Sequence, residues 1–255
     1  ELIEKYGADG VRVGMLLCSP AGNDLPFDES LCEQGRNFSN KIWNSLRLIK
    51  GWEITEIEQP ESSKQAIEWL ENKINQTVID IDESYKKYRI SEALMSTYKL
   101  VWDDFCSWYL EIIKPDFQKP IDKKTYTKTI SQFEKILKLL HPIMPFISEE
   151  AWHIINDKKE DIIVSQWPET KTINKQLLTD FGNTQEIISN IRNIRKEQNI
   201  GNKQQLDLFV ICKEDNQNNF MSIISRLGNL SSFNTTNKKP ENAFSFMVNS
   251  DQYFI

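Results

Sequence analysis

Residues 29–51 read ESLCEQGRNFSNKIWNSLRLIKG, and the apolar positions Phe38, Ile42, Leu46 and Ile49 recur there at steps of three and four. That is the period of an α-helix with one face turned to a core. Gly51 stands just past the last apolar position, where a glycine stop is expected. Winding residues 36–50 at about 3.6 residues per turn gathers Asn37, Asn40, Lys41, Asn44 and Arg47 on the opposite arc, with Leu48 on the same polar side. Cations and side-chain amides collect there with no acid among them. A solvated face in an acidic chain is expected to mix Glu with Lys. Asn, Lys and Arg supply the donors that read base edges and phosphates, so this arc reads as a surface for RNA. The competing reading is an exposed face whose asparagines merely reflect an Asn-rich composition.

Outward from this helix the pattern stays helical. Residues 2–17 predict a short helix with internal glycines, followed by a loop over 19–28 whose Pro20, Gly22, Asn23 and Pro26 are turn formers. On the other side, residues 64–87 predict a long helix with Ile67, Leu70, Ile74, Val78 and Ile81 on one face. Ser91 is placed as the N-cap of a third helix running through Ala93, Leu94, Val101, Phe105 and Leu110 to Lys114, where Pro115 stops it. A fourth covers 123–140. Ser148 is expected to cap a fifth, with Glu149 and Glu150 in the first turn, where the helix dipole favours acids.

After Trp167 and Pro168 the texture changes. An amphipathic helix over 184–198 precedes apolar runs at 206–211, 230–233 and 244–248 that read as strands, with a helix near 220–227 and a further strand at the C-terminal end. The fold class is therefore mainly α: a helical bundle followed by a small α/β unit. The expected division is residues 1–28 as the end of a preceding region, 29–170 as the bundle and 171–255 as the α/β unit. The chain starts at Glu1 inside an ordered pattern and stops in a strand, so it reads as part of something longer.

With 39% hydrophobic and 27% charged residues the composition is that of an ordinary globular protein, and no apolar run approaches the roughly 20 residues of a membrane span. The four cysteines, Cys18, Cys32, Cys106 and Cys212, lie far apart beside apolar stretches, which reads as reduced thiols in a cytoplasmic protein. A net charge of −6 excludes a uniform coat for phosphate but allows a local basic stripe.

Catalytic machinery is not visible. Neither Gly-x-x-x-x-Gly-Lys nor Gly-x-Gly-x-x-Gly occurs, so ATP has no obvious seat. The two histidines, His141 and His153, have no ligand partner at metal spacing and read as capping and packing groups, so no metal site is expected. Asp103 and Asp104 are neighbours whose side chains point apart by roughly 100° on a helix, and they read as solvated charges. The aromatic set Trp102, Phe105, Trp108 and Tyr109 could stack bases, but its spacing of three and four says core.

Two segments, LIEKYGADGVR from residue 2 and GRNFSNKIWN from residue 35, resemble consecutive signatures of valyl-tRNA synthetases, which are class I aminoacyl-tRNA synthetases. FCSWYLE from residue 105 and LHPIMPFISEE from residue 140 resemble the anticodon domain of that group, and IRNIRKE from residue 191 resembles the valine enzymes' C-terminal junction. The likeness covers nearly the whole chain and weakens beyond about Lys213.

The resemblance implies that the helix carrying Asn40, Lys41, Asn44 and Arg47 lies against the anticodon loop of valine tRNA, with Leu48 at a position where an aromatic commonly stacks on a base. It also implies that Leu110 and Glu111 lie near the anticodon, Glu111 accepting from an exocyclic amine. Ser107 departs from the aspartate usual at its position and receives no role. The signatures His-Ile-Gly-His and Lys-Met-Ser-Lys-Ser do not occur, and no residue is assigned to catalysis. ATP with magnesium is implied for a whole enzyme, no cofactor for this chain, and a monomer without membrane contact is expected. The alternatives are an isoleucyl or leucyl enzyme, which the Asn40 to Asn44 segment disfavours, and a silent helical adaptor that binds protein.

Overall fold

Gly7 decides how the chain begins. Its backbone sits at φ 75° and ψ 159°, a conformation side-chain-bearing residues rarely adopt, so the single helix expected over 2–17 is two, α1 (Leu2–Tyr6) and α2 (Ala8–Leu17). The computed structural model describes residues 1–18, 27–155, 160–212, 219–241 and 243–255. Most of the turn-rich loop expected over 19–28 therefore lies outside the described residues.

Helix α3 spans Glu29–Lys50 and is capped by the Asp28 carboxylate, which accepts from Ser30 N at 2.9 Å. It packs against α2 almost backbone to backbone. A Cβ on Gly35 would collide with the Gly10 carbonyl, and one on Gly14 would lie 2.6 Å from Cys32 Sγ. Small residues are what bring these helices together.

The bundle continues with α4 (Glu61–Lys86) and α5 (Ile90–Lys99). From α5 the chain runs without a break into a π-helical segment, Leu100–Tyr109, and then α6 (Leu110–Ile113). Ser91 is not the cap expected of it: the helix already begins at Ile90, and the Ser91 hydroxyl donates to the Leu16 carbonyl at 2.7 Å, tying α5 to the end of α2. Lys114 leaves the helix at ψ 133°, as a residue before proline must.

Two-residue strands β1 (Ile54–Thr55) and β2 (Ile121–Asp122) pair in parallel, and Ile121 N donates to Glu53 O at 2.8 Å. Helix α7 occupies Lys123–Leu140 as expected, and Asp122 caps it by accepting from Thr125 N. Its Phe133 stacks on Phe105 at 5.2 Å, while Thr129 meets the Tyr109 hydroxyl at 2.8 Å.

Helix α8 begins at Pro145, earlier than expected, and Ser148 is fully buried inside it with its hydroxyl donated to Met144 O. The cap comes from far away in sequence. Asp9 of α2 accepts from Ile147 N at 2.7 Å and from Phe146 N at 3.4 Å. Arg12, one turn further along α2, donates to the carbonyls of Pro142 and Ile143. The residues expected to end a preceding region thus pack inside the helical unit, which holds residues 1–59 and 66–173.

The second unit holds residues 60–65 and 174–255. Its long helix α9 (Lys175–Glu197) starts nine residues before the expected 184, capped by Asn174. Strands β3 (Leu206–Ile211), β4 (Leu230–Thr235), β5 (Ser245–Val248) and β6 (Asp251–Phe254) form one sheet in the order β4-β3-β6-β5. β3 and β4 are parallel, joined by α10 (Met221–Gly228), while β6 runs antiparallel to both of its neighbours. Arg195 is buried within this unit and donates to four carbonyls, Gly201, Gln204, Gly228 and Asn229, at 2.9 to 3.2 Å. The sequence marked this arginine only as part of a familiar segment; in the fold it pins the loop before β3 to the end of α10.

Candidate nucleic-acid interface

Helix α3 sorts its residues as the period demands. Phe38, Ile42, Leu46 and Ile49 are buried, while Asn37, Asn40, Asn44, Arg47 and Leu48 are exposed, Leu48 at 41%. Lys41 is half-buried because its ammonium lies 5.3 Å from the centroid of the Trp102 ring. Lys41, Asn44 and Arg47 are therefore on one helix and accessible together.

What holds this face in place is the α5 and π-helical run, which lies beside α3 in the same direction. Phe38 packs on Tyr98 at 4.6 Å, Tyr98 stacks on Trp102 at 5.5 Å, and the Ser45 hydroxyl meets Cys106 Sγ at 3.0 Å. Successive turns of one helix thus meet successive turns of the other. Extending that register carries Arg47, Leu48 and Lys50 to the level of Tyr109 to Glu111, so the two groups of expected site residues share one end of the bundle. Cys106 is buried there, and burial pushes its thiol above the usual range against the pull of Ser45 and Lys41.

One expected residue drops out and another is already engaged. Leu110 is 3% exposed, so its side chain offers no surface to a base; the π-helical turns before it direct it into the core. Glu111 is half-exposed, and its carboxylate accepts from the Lys114 ammonium. A base amine would have to share or displace that partner. Of the aromatic set, Phe105 and Tyr109 are core residues, whereas Trp102 and Trp108 remain half-exposed.

Two other expectations need correction. Asp104 is not a solvated charge: it is buried, with Lys73 Nζ at 3.7 Å, and burial pushes its carboxyl up to about 6. Asp103 stays exposed. His153 is not isolated either. Its Nε2 lies 3.0 Å from Glu149 Oε1 and 3.3 Å from Asp161 Oδ1, three donor atoms close enough together to ligate a cation. As placed, the imidazole bridges the two carboxylates, and Glu149 also accepts from Ile162 N. His141 meets Ser148 at 2.9 Å and is held below the ordinary histidine range by burial, in keeping with a packing role.

The sequence missed Trp102 as the seat of Lys41 and Asp9 as the cap of α8. Each partner lies on a different helix, and nothing local signals such a pairing.

A family described as the anticodon-binding domain of tRNA ligase matches residues 68–210 of this chain. That match takes in the π-helical run and Glu111 but begins after α3. Similarity to whole proteins spans α3 as well. A valine–tRNA ligase of Christiangramia forsetii is 50% identical and that of Parabacteroides distasonis 47% identical, each over the full length of this chain. The chain spans 29% of the length of each of these relatives. Among solved structures, LeuRS of Agrobacterium radiobacter K84 in its ternary complex with tRNA and LeuAMS is similar over 69% of this chain and 21% of its own, at 16% identity and a TM-score of 0.48. With more than half of its residues matched to that one description, the chain belongs to the family of anticodon-binding domains of tRNA ligases.

Proposed function

We propose that the chain recognises the anticodon loop of valine tRNA as part of a valine–tRNA ligase. The observation that carries this reading is the accessible Asn40, Lys41, Asn44, Arg47 face of α3, backed by a fully buried apolar face and steadied by Trp102. Valine is chosen over other amino acids because the relatives matched along the whole chain are named valine–tRNA ligases. In the whole enzyme, ATP with magnesium would drive the joining of valine to its tRNA; neither nucleotide-binding nor class I catalytic signatures occur in these 255 residues, whose part is recognition.

Chemically, Lys41 and Arg47 supply charge for phosphates, Asn40 and Asn44 paired donors and acceptors for base edges, Leu48 an apolar contact, and Glu111 an acceptor. We read the protein as a monomer of the reducing cytoplasm. Cys18, Cys32 and Cys106 are buried free thiols, and among the described residues no helix is long and apolar enough to cross a membrane.

The test is a gel-shift titration of the chain against valine tRNA and an anticodon-swapped version. Preference for the first, weakened by Arg47→Ala, is the expected result. Equal binding of both RNAs at every salt concentration refutes base recognition.

A further inference from the structure

No aromatic side chain among the described residues is more exposed than Phe117, at 90%. An exposed phenyl ring adds little to folding and leaves its π-face open to a partner. Its loop, residues 114–120, is stiff. Pro115 and Pro120 fix the backbone at both ends, Lys119 N donates to Asp116 O at 2.9 Å, and Gln118 sits at φ 62°. The ring is therefore held out on a short, constrained turn.

The loop also lies at a particular end of the bundle. It leaves α6 just past Glu111 and returns to β2, whose Ile121 pairs with Ile54 and hydrogen-bonds to Glu53, three residues beyond the end of α3. Phe117 is four residue steps from Ile121, so the two Cα atoms are within about 14 Å. Phe117 thus stands at the same end as Arg47, Leu48 and Glu111, within the span of a few nucleotides. Tyr88, the other strongly exposed aromatic, lies before α5 at the opposite end.

Charge at the loop is balanced: Lys114 faces Glu111 and Lys119 faces Asp116. The loop offers a π-face rather than a field. Resting on the function proposed above, we propose that Phe117 is a stacking platform for one unpaired base of the RNA loop that the α3 face holds. Unpaired bases stack on such rings whatever their identity, so Phe117 contributes affinity and position while the α3 side chains contribute sequence.

The experiment uses the whole chain and a hairpin carrying the valine anticodon loop, with 2-aminopurine placed at each loop position in turn. Phe117→Ala should weaken binding by roughly five- to a hundredfold, leave the salt dependence unchanged, and abolish the fluorescence change at one or two positions. Phe117→Trp should restore both. Full-strength binding and an unaltered fluorescence pattern in Phe117→Ala, with Lys41→Ala still weakened, overturn the stacking role alone. Failure of the unaltered chain to bind the hairpin overturns the RNA reading and this inference together.

Discussion

Replacing Lys41 with alanine separates the charge of the α3 face from its fold. The ammonium lies 5.3 Å from the Trp102 ring, and a cation–π contact at a partly exposed site contributes about 0.5–1 kcal/mol. No buried polar group loses a partner to the change, so stability should fall by no more than about 1 kcal/mol, a small part of the 5–15 kcal/mol typical of a domain. RNA binding should suffer more. A lost charge-assisted hydrogen bond costs about 1.5–3 kcal/mol, roughly a ten- to hundredfold weaker complex. Removing one phosphate partner on a single strand should also flatten the slope of log K against log salt by about 0.7. Anisotropy titrations of a labelled anticodon hairpin between about 50 and 200 mM salt measure both quantities. Lys41→Arg should keep the slope, and Trp102→Leu, which frees the lysine without removing it, should weaken binding at an unchanged slope. If Lys41→Ala retains the parental affinity and slope while its helical circular dichroism is intact, the face does not grip phosphate and the reasoning fails.

Asp104 offers a test of burial. Its carboxyl is raised from 3.8 to about 6, so the folded state binds the proton more tightly than the unfolded one; the contribution of this group to stability is fully present below about pH 4 and is lost as pH rises through about 6. The full shift corresponds to about 3 kcal/mol, and Asp104→Asn should gain roughly 1–3 kcal/mol at neutral pH and nothing at pH 4 in urea titrations. A variant that is less stable at both pH values would show that the Lys73 pair outweighs desolvation. Arg195→Lys should cost at least about 3 kcal/mol and unfold the second unit first in hydrogen exchange, because one ammonium cannot reach the four carbonyls that the planar fork serves; unchanged protection of β3 and β4 would contradict this. Asp9→Ala removes the cap of α8 and should cost about 1–2 kcal/mol in thermal or urea melts, with Asp9→Asn recovering part of it.

The parts of the fold legible in the sequence are those written in local period and local caps. α3 and α7 repeat their apolar positions over several turns, so their extents follow from residues near at hand, while the Asp122 cap of α7 emerges only in the structure. Ser148 misled because serine before two glutamates imitates a cap, while the acceptor that serves α8, Asp9, is 138 residues from Ile147. Asp104 reads as solvated because α-helical winding is assumed over a stretch that is wound otherwise. Leu110 is assigned to the site by resemblance alone, although its helical spacing with Val101 and Phe105 already marks it as a core position. The candidate site was legible on α3, where one helix carries both the buried and the accessible arc. Its second half depends on how two helices align, which no single-helix pattern reveals.

That winding has a mechanical consequence. A π-helix turns once in about 4.4 residues against 3.6 for an α-helix, so ten residues of it lag the ordinary screw by about half a revolution. Everything beyond Tyr109, including Glu111 and the loop that follows, is aimed by that lag. Losing one residue between Leu100 and Tyr109 would let the backbone relax towards the tighter thread and swing the tip around its axis, while hardly moving it along the bundle. The direction in which the end of this domain faces is therefore stored in a pitch.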